Sequence, residues 1–149
     1  MALFKFIHLL SVVLWVGGMF FAYMVLRPAA AEVLQPPERL QLWDKVFSRF
    51  FNWVWPATFL MLVSGLYMIY QYGGMAHVPH FVHAMLLLGI AMLAIYAYVF
   101  FGQYVHFNLA VAAKDWVKAG AILATIRKLV ASNLSLGILT FAVVEFGRP

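Results

Sequence analysis

The sequence predicts an all-α membrane protein, a four-helix transmembrane bundle with both termini on the outer (periplasmic) side of the membrane. Of the 149 residues 66% are hydrophobic and only 10% are charged, and the mean hydropathy is +0.93. A soluble domain of this size could not cover so much apolar surface. The apolar residues also fall into four long stretches, and most lysines and arginines gather at one end of these stretches.

We expect four transmembrane helices in a single domain that takes up residues 1–149. Their predicted ranges are 4–26, 50–72, 78–104 and 129–146. The last range is the shortest, but at ~1.5 Å per residue it still extends for roughly 27 Å, close to the thickness of the hydrocarbon core. Backbone groups in lipid must be hydrogen-bonded internally, and no stretch alternates between apolar and polar residues as a strand would. Each span is therefore predicted to be helical.

The connections between the spans differ in character. The first connection (27–49) contains Pro36 and Pro37, which are typical of a helix start, so a short amphipathic helix is expected to run into the second span. The third connection (105–128) is also expected to contain a helix that leads into the fourth span. The middle connection (73–77) holds neither lysine nor arginine.

The basic residues predict the orientation of the bundle. Those of the first and third connections are Arg27, Arg39, Lys45, Arg49, Lys114, Lys118, Arg127 and Lys128. The opposite end has only Lys5 and Arg148. The positive-inside rule places the two charged connections in the cytoplasm. The net charge of +5 is thereby explained without nucleic acid. We expect a multi-pass protein of the bacterial inner (cytoplasmic) membrane, with lipid as its surroundings.

Two histidines lie inside the spans at similar predicted depths. His8 follows Lys5 by three residues, and His83 follows Pro79 by four, so both are expected in the outer half of the bilayer, roughly 4–6 Å along their helices from those residues. An ionisable residue inside a membrane span is a functional-site hypothesis. Two imidazoles that face each other across a bundle are suited to hold the iron of a haem. The alternative is that each histidine only hydrogen-bonds a neighbouring helix.

Other polar residues are candidate contacts of such a haem. Lys5 and Arg148 lie near its predicted level and could pair with its propionates. Arg27 and Arg49 flank the inner ends of the first and second spans, and Asn133 gives the fourth span a polar face. Surface pairing explains Lys5 and Arg148 equally well. Anchoring at the inner surface is the alternative role for the two inner arginines, and helix packing is the alternative for the asparagine.

Copper is the rival ligand. His77, His80 and Met75 lie at the predicted outer surface, and imidazole with thioether is a ligand set for Cu(I). These histidines are also explained as interfacial residues at a helix start. The chain has no cysteine, which excludes disulfides and thiolate metal sites.

Four segments resemble small CopD-family membrane proteins: FKFIHLLSVVLWVGGMFFAYMVLRPAA, RFFNWVWPATFLMLVSG, FVHAMLLLG and IRKLVASNLSLGILTFAV. The layout is also similar to HemJ-type protoporphyrinogen oxidases, which are four-helix membrane proteins with haem b. Their pattern of histidines, arginines and one proline is matched here by His8, Arg27, Arg49, Pro56 and His83. The chain departs from it at Met85, where that pattern has a lysine two residues after the third-helix histidine.

These observations predict an integral membrane b-type haem protein, HemJ-like, with a redox or electron-transfer role and one haem b between His8 and His83. If the chain is an enzyme, the resemblance implies an oxidoreductase similar to protoporphyrinogen oxidase, with a quinone or a porphyrin as substrate. The alternative is a copper-binding or copper-transport protein of the CopD type that uses His77, His80 and Met75, with the pair His8 and His83 as further candidate ligands. Self-association into a homo-oligomer is left open.

Overall fold

A computed structural model describes residues 1–147, and the regular secondary structure within them is helical. The long helices of this range are α1 (Ala2–Val33), α2 (Pro36–Gln71), α3 (His80–Ala112) and α4 (Trp116–Phe146). Each is long and apolar enough to cross a membrane. The prediction of an all-α protein with four membrane-spanning helices is confirmed at this level.

The helices extend beyond the predicted spans at the end where the basic residues lie. α2 begins at Pro36, whose missing N–H would be unpaired in a first turn anyway. α4 begins after Asp115, whose carboxylate accepts a hydrogen bond of 3.1 Å from the backbone N–H of Lys118. We call the end of the bundle at which most basic residues lie the charged end. The opposite end, which holds Met1 and the α2–α3 connection, is called the terminal end.

The α2–α3 connection is a tight turn that depends on two glycines. Gly73 and Gly74 have φ values of 93° and 90°, a region that side chains with a Cβ rarely adopt. The N–H of Gly74 donates to the carbonyl of Ile69 at 2.9 Å and so ends α2. A single 3₁₀ turn, Met75–His77, then leads into α3.

Three stretches of the long helices are π-helical. Val13–Gly17 and Phe21–Leu26 lie in α1, and Val99–Tyr104 lies in α3. A π-helical turn places an additional residue in the helix and is frequent at functional sites. The extra residues change which side chains of α1 and α3 face the interior of the bundle.

The helices pack as antiparallel neighbours, α1 chiefly on α2 and α3 chiefly on α4. His8 of α1 contacts Met61 of α2 near the terminal end, and Gly18 admits the ring of Phe50 nearer the charged end. Gly137 of α4 has no side chain, so Val16 of α1 and Met92 of α3 can pack closely against α4 at this position. The four helices therefore enclose a common interior.

Aromatic side chains fill the space between α2 and α3. The ring centroid of Phe51 lies 4.9 Å from that of Tyr104, and the ring centroid of Trp55 lies 4.9 Å from that of Tyr96. Such tilted arrangements contribute roughly 0.5–1.5 kcal/mol per pair beyond the burial of area. Large apolar side chains also cover the outside of the helices, as lipid contact requires.

We predict that Gly137→Val destabilises the bundle. A Cβ at this position would stand 3.1 Å from one methyl of Val16 and 3.2 Å from Cε of Met92, so a branched side chain must separate α4 from its neighbours. The expected loss in unfolding free energy is about 1–3 kcal/mol, measured by thermal unfolding in detergent. Gly17→Val is the matched control, because an exposed Gly17 has no atom within 4 Å of the added Cβ. Equal stability of the two variants would contradict this packing.

Candidate functional site

Two cavities stand out between the helices of residues 1–147. The terminal cavity has a volume of about 150 Å³ and lies between the helices at the terminal end. The charged-end cavity has a volume of about 550 Å³ and opens toward the charged end. Trp15, which is 1% exposed, lines both, so its indole stands between them.

His8 lines the terminal cavity and is held in a defined orientation. Its Nδ1 lies 2.9 Å from the carbonyl oxygen of Met61 and 3.3 Å from Oγ of Ser64. Because the carbonyl can only accept, Nδ1 donates the hydrogen and Nε2 retains its lone pair. The Ser64 hydroxyl donates at 2.6 Å to the carbonyl of Leu60, so its oxygen is a second acceptor for His8. Gly65 makes room for the ring, since a Cβ there would stand 3.1 Å from Cε1 of His8.

Residues with thioether side chains also line the terminal cavity. Met61, Met85 and Met92 line it together with His8. None of the lining residues in the described chain is charged. An imidazole with free Nε2 and several thioethers form a set that prefers a soft metal ion such as Cu(I). Sequence reasoning missed Met61 and Met92; the spacing of seven residues between Met85 and Met92, which places them on one helix face, was the available signal.

His83 lies outside this arrangement. It is exposed at the start of α3, and its Nδ1 lies 3.3 Å from the carbonyl oxygen of Pro79 in the same turn. Its ring centroid is 6.2 Å from that of His80. His83 is not one of the residues that line the cavity of His8. The structure therefore places the two predicted haem ligands at the same end of the bundle but does not bring them together around one space.

The surface residues predicted as copper ligands, His77, His80 and Met75, are all exposed. His77 donates from Nδ1 to the carbonyl of Gly73 at 2.9 Å, and Met75 is 38% exposed. Across residues 1–147, no three side chains among histidine, aspartate and glutamate are grouped so that they could hold a metal ion.

The other residues that were predicted to contact the haem do not lie around one common space. Lys5 is exposed at the terminal end, and Arg148 lies outside the described residues. Arg49 is exposed and is not part of either cavity lining. Arg27 and Asn133 do come together, but they line the charged-end cavity and not the cavity of His8. The set predicted around a single haem is thus split between two cavities and the surface.

The space beside His8 does not fit a haem in this structure. Its volume of 150 Å³ lies below the ~300 Å³ at which cavities for drug-sized ligands begin, and a haem is larger than such ligands. The second predicted iron ligand also lies outside that space.

The charged-end cavity has a different electrostatic character. Arg27 of α1, Arg39 of α2 and Arg127 of α4 line it, and no acidic residue of the described chain does. The Arg27 side chain turns toward the bilayer interior. Its Nε donates to the carbonyl of Tyr23 at 3.3 Å, and its guanidinium carbon lies 4.4 Å from the centroid of that ring.

Polar atoms without partners lie deeper in the same cavity. Nε1 of Trp15, the hydroxyl of Tyr96 and Oδ1 of Asn133 are buried and have no hydrogen-bond partner in the structure. These side chains are only 1–3% exposed. Buried polar groups in proteins are nearly always hydrogen-bonded, so a group of unpaired ones indicates a missing partner.

The chain matches a known protein family over most of its length. The family described as copper resistance protein D (CopD) matches residues 44–146, which include most of α2 and all of α3 and α4. Helix α1, with His8, precedes the matched residues. Comparison with curated proteins and comparison with solved structures gave no match.

The hydrogen bond from His8 to Met61 predicts which ring nitrogen of His8 is protonated, and NMR can test this. In ¹⁵N NMR spectra of histidine-labelled protein, we expect the His8 ring to show a protonated Nδ1 and an unprotonated Nε2. Assignment uses the His8→Gln variant, from which these signals should be missing. Ser64→Ala should leave the tautomer unchanged, because the closer acceptor is the backbone carbonyl. A protonated Nε2 would contradict the orientation described above.

Proposed function

Because the chain belongs to the copper resistance protein D family, we propose that it is a multi-pass membrane protein that binds copper within the bilayer. The observation that carries the proposal is the terminal cavity, where His8 and three methionines line one small uncharged space. Family membership supports copper as the ion, and the ligand chemistry of this cavity supports Cu(I) as its oxidation state.

The lining of the terminal cavity favours a soft monovalent ion over a hard divalent one. Hard cations such as Mg²⁺ and Ca²⁺ need several oxygen ligands, usually carboxylates, and no carboxylate lines this cavity in the described chain. Thioethers and a neutral imidazole hold Cu(I) without adding negative charge. His8 would contribute Nε2, while its Nδ1–H stays bonded to Met61 and fixes the ring.

The distribution of basic residues supports an orientation in which the terminal end faces the outer side of an inner membrane. Copper arriving from outside would then meet exposed His77, His80 and Met75 first and the terminal cavity next. The arginines of the charged-end cavity repel cations, so we propose binding in the outer half of the bilayer and not free passage through the bundle.

A b-type haem held by His8 and His83, with a redox role, is the second candidate. One observation favours it, namely that both histidines lie at the terminal end of the bundle. It would require the start of α3 to turn His83 inward and the terminal cavity to widen around a macrocycle. The copper site needs neither change and is therefore the function that the geometry supports better.

Copper binding can be tested on the purified protein. We expect one Cu(I) per chain under reducing, oxygen-free conditions, measured by competition with a chromogenic Cu(I) chelator. His8→Ala and Met85→Leu should each lower the affinity about tenfold or more, which corresponds to about 1.4 kcal/mol. The matched control is Met24→Leu, because Met24 is 54% exposed on α1 and is not part of the cavity.

The same titration separates the terminal cavity from the surface residues. A double variant, His77→Ala with His80→Ala, should retain the high-affinity site. Loss of copper in this variant, with full binding in His8→Ala, would refute the cavity as the site and assign copper to the exposed histidines.

The visible spectrum separates copper from haem. Under the copper proposal, we expect protein isolated from cells to lack a stoichiometric Soret band and α-band after reduction. The contrary result would be a low-spin haem spectrum that is lost or altered in both His8→Ala and His83→Ala but not in His106→Ala. That pattern would replace copper with haem b as the ligand of this end of the bundle.

A further inference from the structure

We infer that the charged-end cavity is a binding site for an anionic amphiphile that carries an uncharged hydroxyl group at its far end. This site is separate from the terminal cavity and does not depend on copper. It rests on the cations at one end of the cavity, the unpaired polar atoms at the other, and the apolar walls between them.

The cationic end calls for an anion. Arg27, Arg39 and Arg127 come from three different helices and line the same space. The cavity lining of the described chain has no acidic residue that could neutralise them. Guanidinium groups bind carboxylate and phosphate through two parallel hydrogen bonds. A carboxylate or phosphate group at this end would supply the charge that the chain itself does not.

The inner end calls for a neutral hydrogen-bonding group. Trp15 can only donate, Tyr96 can donate or accept, and Oδ1 of Asn133 accepts. A hydroxyl suits all three, because its oxygen can accept from the indole or the phenol while its hydrogen is donated to the amide oxygen. A second anionic group would be unfavourable here, since no cation lines this part of the cavity in the described residues.

The spacing along the helices sets the length of the ligand. Asn133 follows Arg127 by six residues on α4, which corresponds to ~9 Å along the axis. The guanidinium of Arg27 lies over Tyr23, eight residues from Trp15 on α1, or ~12 Å. The ligand therefore has its two polar groups roughly 9–12 Å apart. A cavity volume of 550 Å³ lies within the range of about 300–1,000 Å³ that is usual for small-molecule sites.

These requirements distinguish the ligand from an ordinary membrane lipid. The phosphate of an anionic phospholipid would suit the arginines, but its acyl chains end in methyl groups. A methyl group beside Trp15, Tyr96 and Asn133 would leave all three polar atoms unpaired. A single-chain acid with a terminal hydroxyl satisfies both ends at once.

The test uses ω-hydroxydecanoate as the probe and the full-length protein in nanodiscs of phosphatidylcholine. Tryptophan fluorescence reports binding, because Trp15, Trp43 and Trp116 line the cavity. We expect saturable binding of ω-hydroxydecanoate. Decanoate, which lacks the hydroxyl, and the methyl ester of ω-hydroxydecanoate, which lacks the charge, should each bind about tenfold more weakly or worse.

Two variants with matched controls test which end of the cavity binds the acid group and which end binds the hydroxyl group. Arg127→Gln should reduce the preference for the acid over its methyl ester, because two of the three arginines remain, whereas Arg49→Gln should leave it unchanged, because Arg49 does not line the cavity. Asn133→Leu should abolish the preference for the hydroxylated acid over decanoate. Asn52→Leu should retain it, because Asn52 is exposed on α2.

Three outcomes would overturn the inference. Absence of saturable binding by the folded wild-type protein, with folding checked by circular dichroism, would refute the cavity as a site for a hydroxylated acid. Equal affinity for decanoate and ω-hydroxydecanoate would exclude a role for the unpaired polar atoms. Full displacement of the bound probe by dioleoylphosphatidylglycerol in the nanodisc, at the ratio of one lipid per chain, would make the cavity a site for an anionic phospholipid.

Discussion

The structure depends on one constraint, which is that polar groups between membrane-spanning helices must find partners within the protein. Most do so locally. The Ser11 hydroxyl donates to the carbonyl of Ile7 at 2.7 Å, and His8 uses the carbonyl of Met61 on the neighbouring helix. Trp15, Tyr96 and Asn133, which line the charged-end cavity, have buried polar atoms that find no such partner. Because buried polar groups are nearly always hydrogen-bonded, we propose that a ligand of this cavity supplies the partner.

Two cavities of opposite electrostatic preference follow from the way the helices pack. The terminal cavity is uncharged and has soft donors, whereas the charged-end cavity has guanidinium groups and aromatic walls. The Trp15 indole separates them and packs edge-on against Tyr96, with their ring centroids 5.7 Å apart. Between a cation held in the terminal cavity and the charged end lie first this aromatic pair and then the positively charged arginines of the charged-end cavity. We therefore propose a cation at the terminal end and an anion at the charged end.

Helix α1 has a particular part in this arrangement. The family match begins at residue 44, so Met61, Met85 and Met92 lie inside it, whereas His8 lies before it. The single imidazole of the terminal cavity thus comes from a helix outside the matched residues. Gly65 of α2 allows that helix to approach closely, because any side chain there would contact the His8 ring. The soft-ligand set is completed only when α1 packs against α2.

The sequence by itself determined the number of helices, their helical connections and the end at which the basic residues gather, because hydropathy, Pro36 and Asp115 act locally. It also singled out His8 as an unusual residue in a span. Only the tertiary structure decided that His8 joins methionines instead of His83, and that Arg27 and Asn133 share a different cavity. Equal depth in the bilayer fixes a residue along the membrane normal but not the direction in which its side chain points. That direction depends on helix rotation, which is set by side-chain packing and by the extra residues of the π-helical turns, and neither follows from a 3.6-residue periodicity.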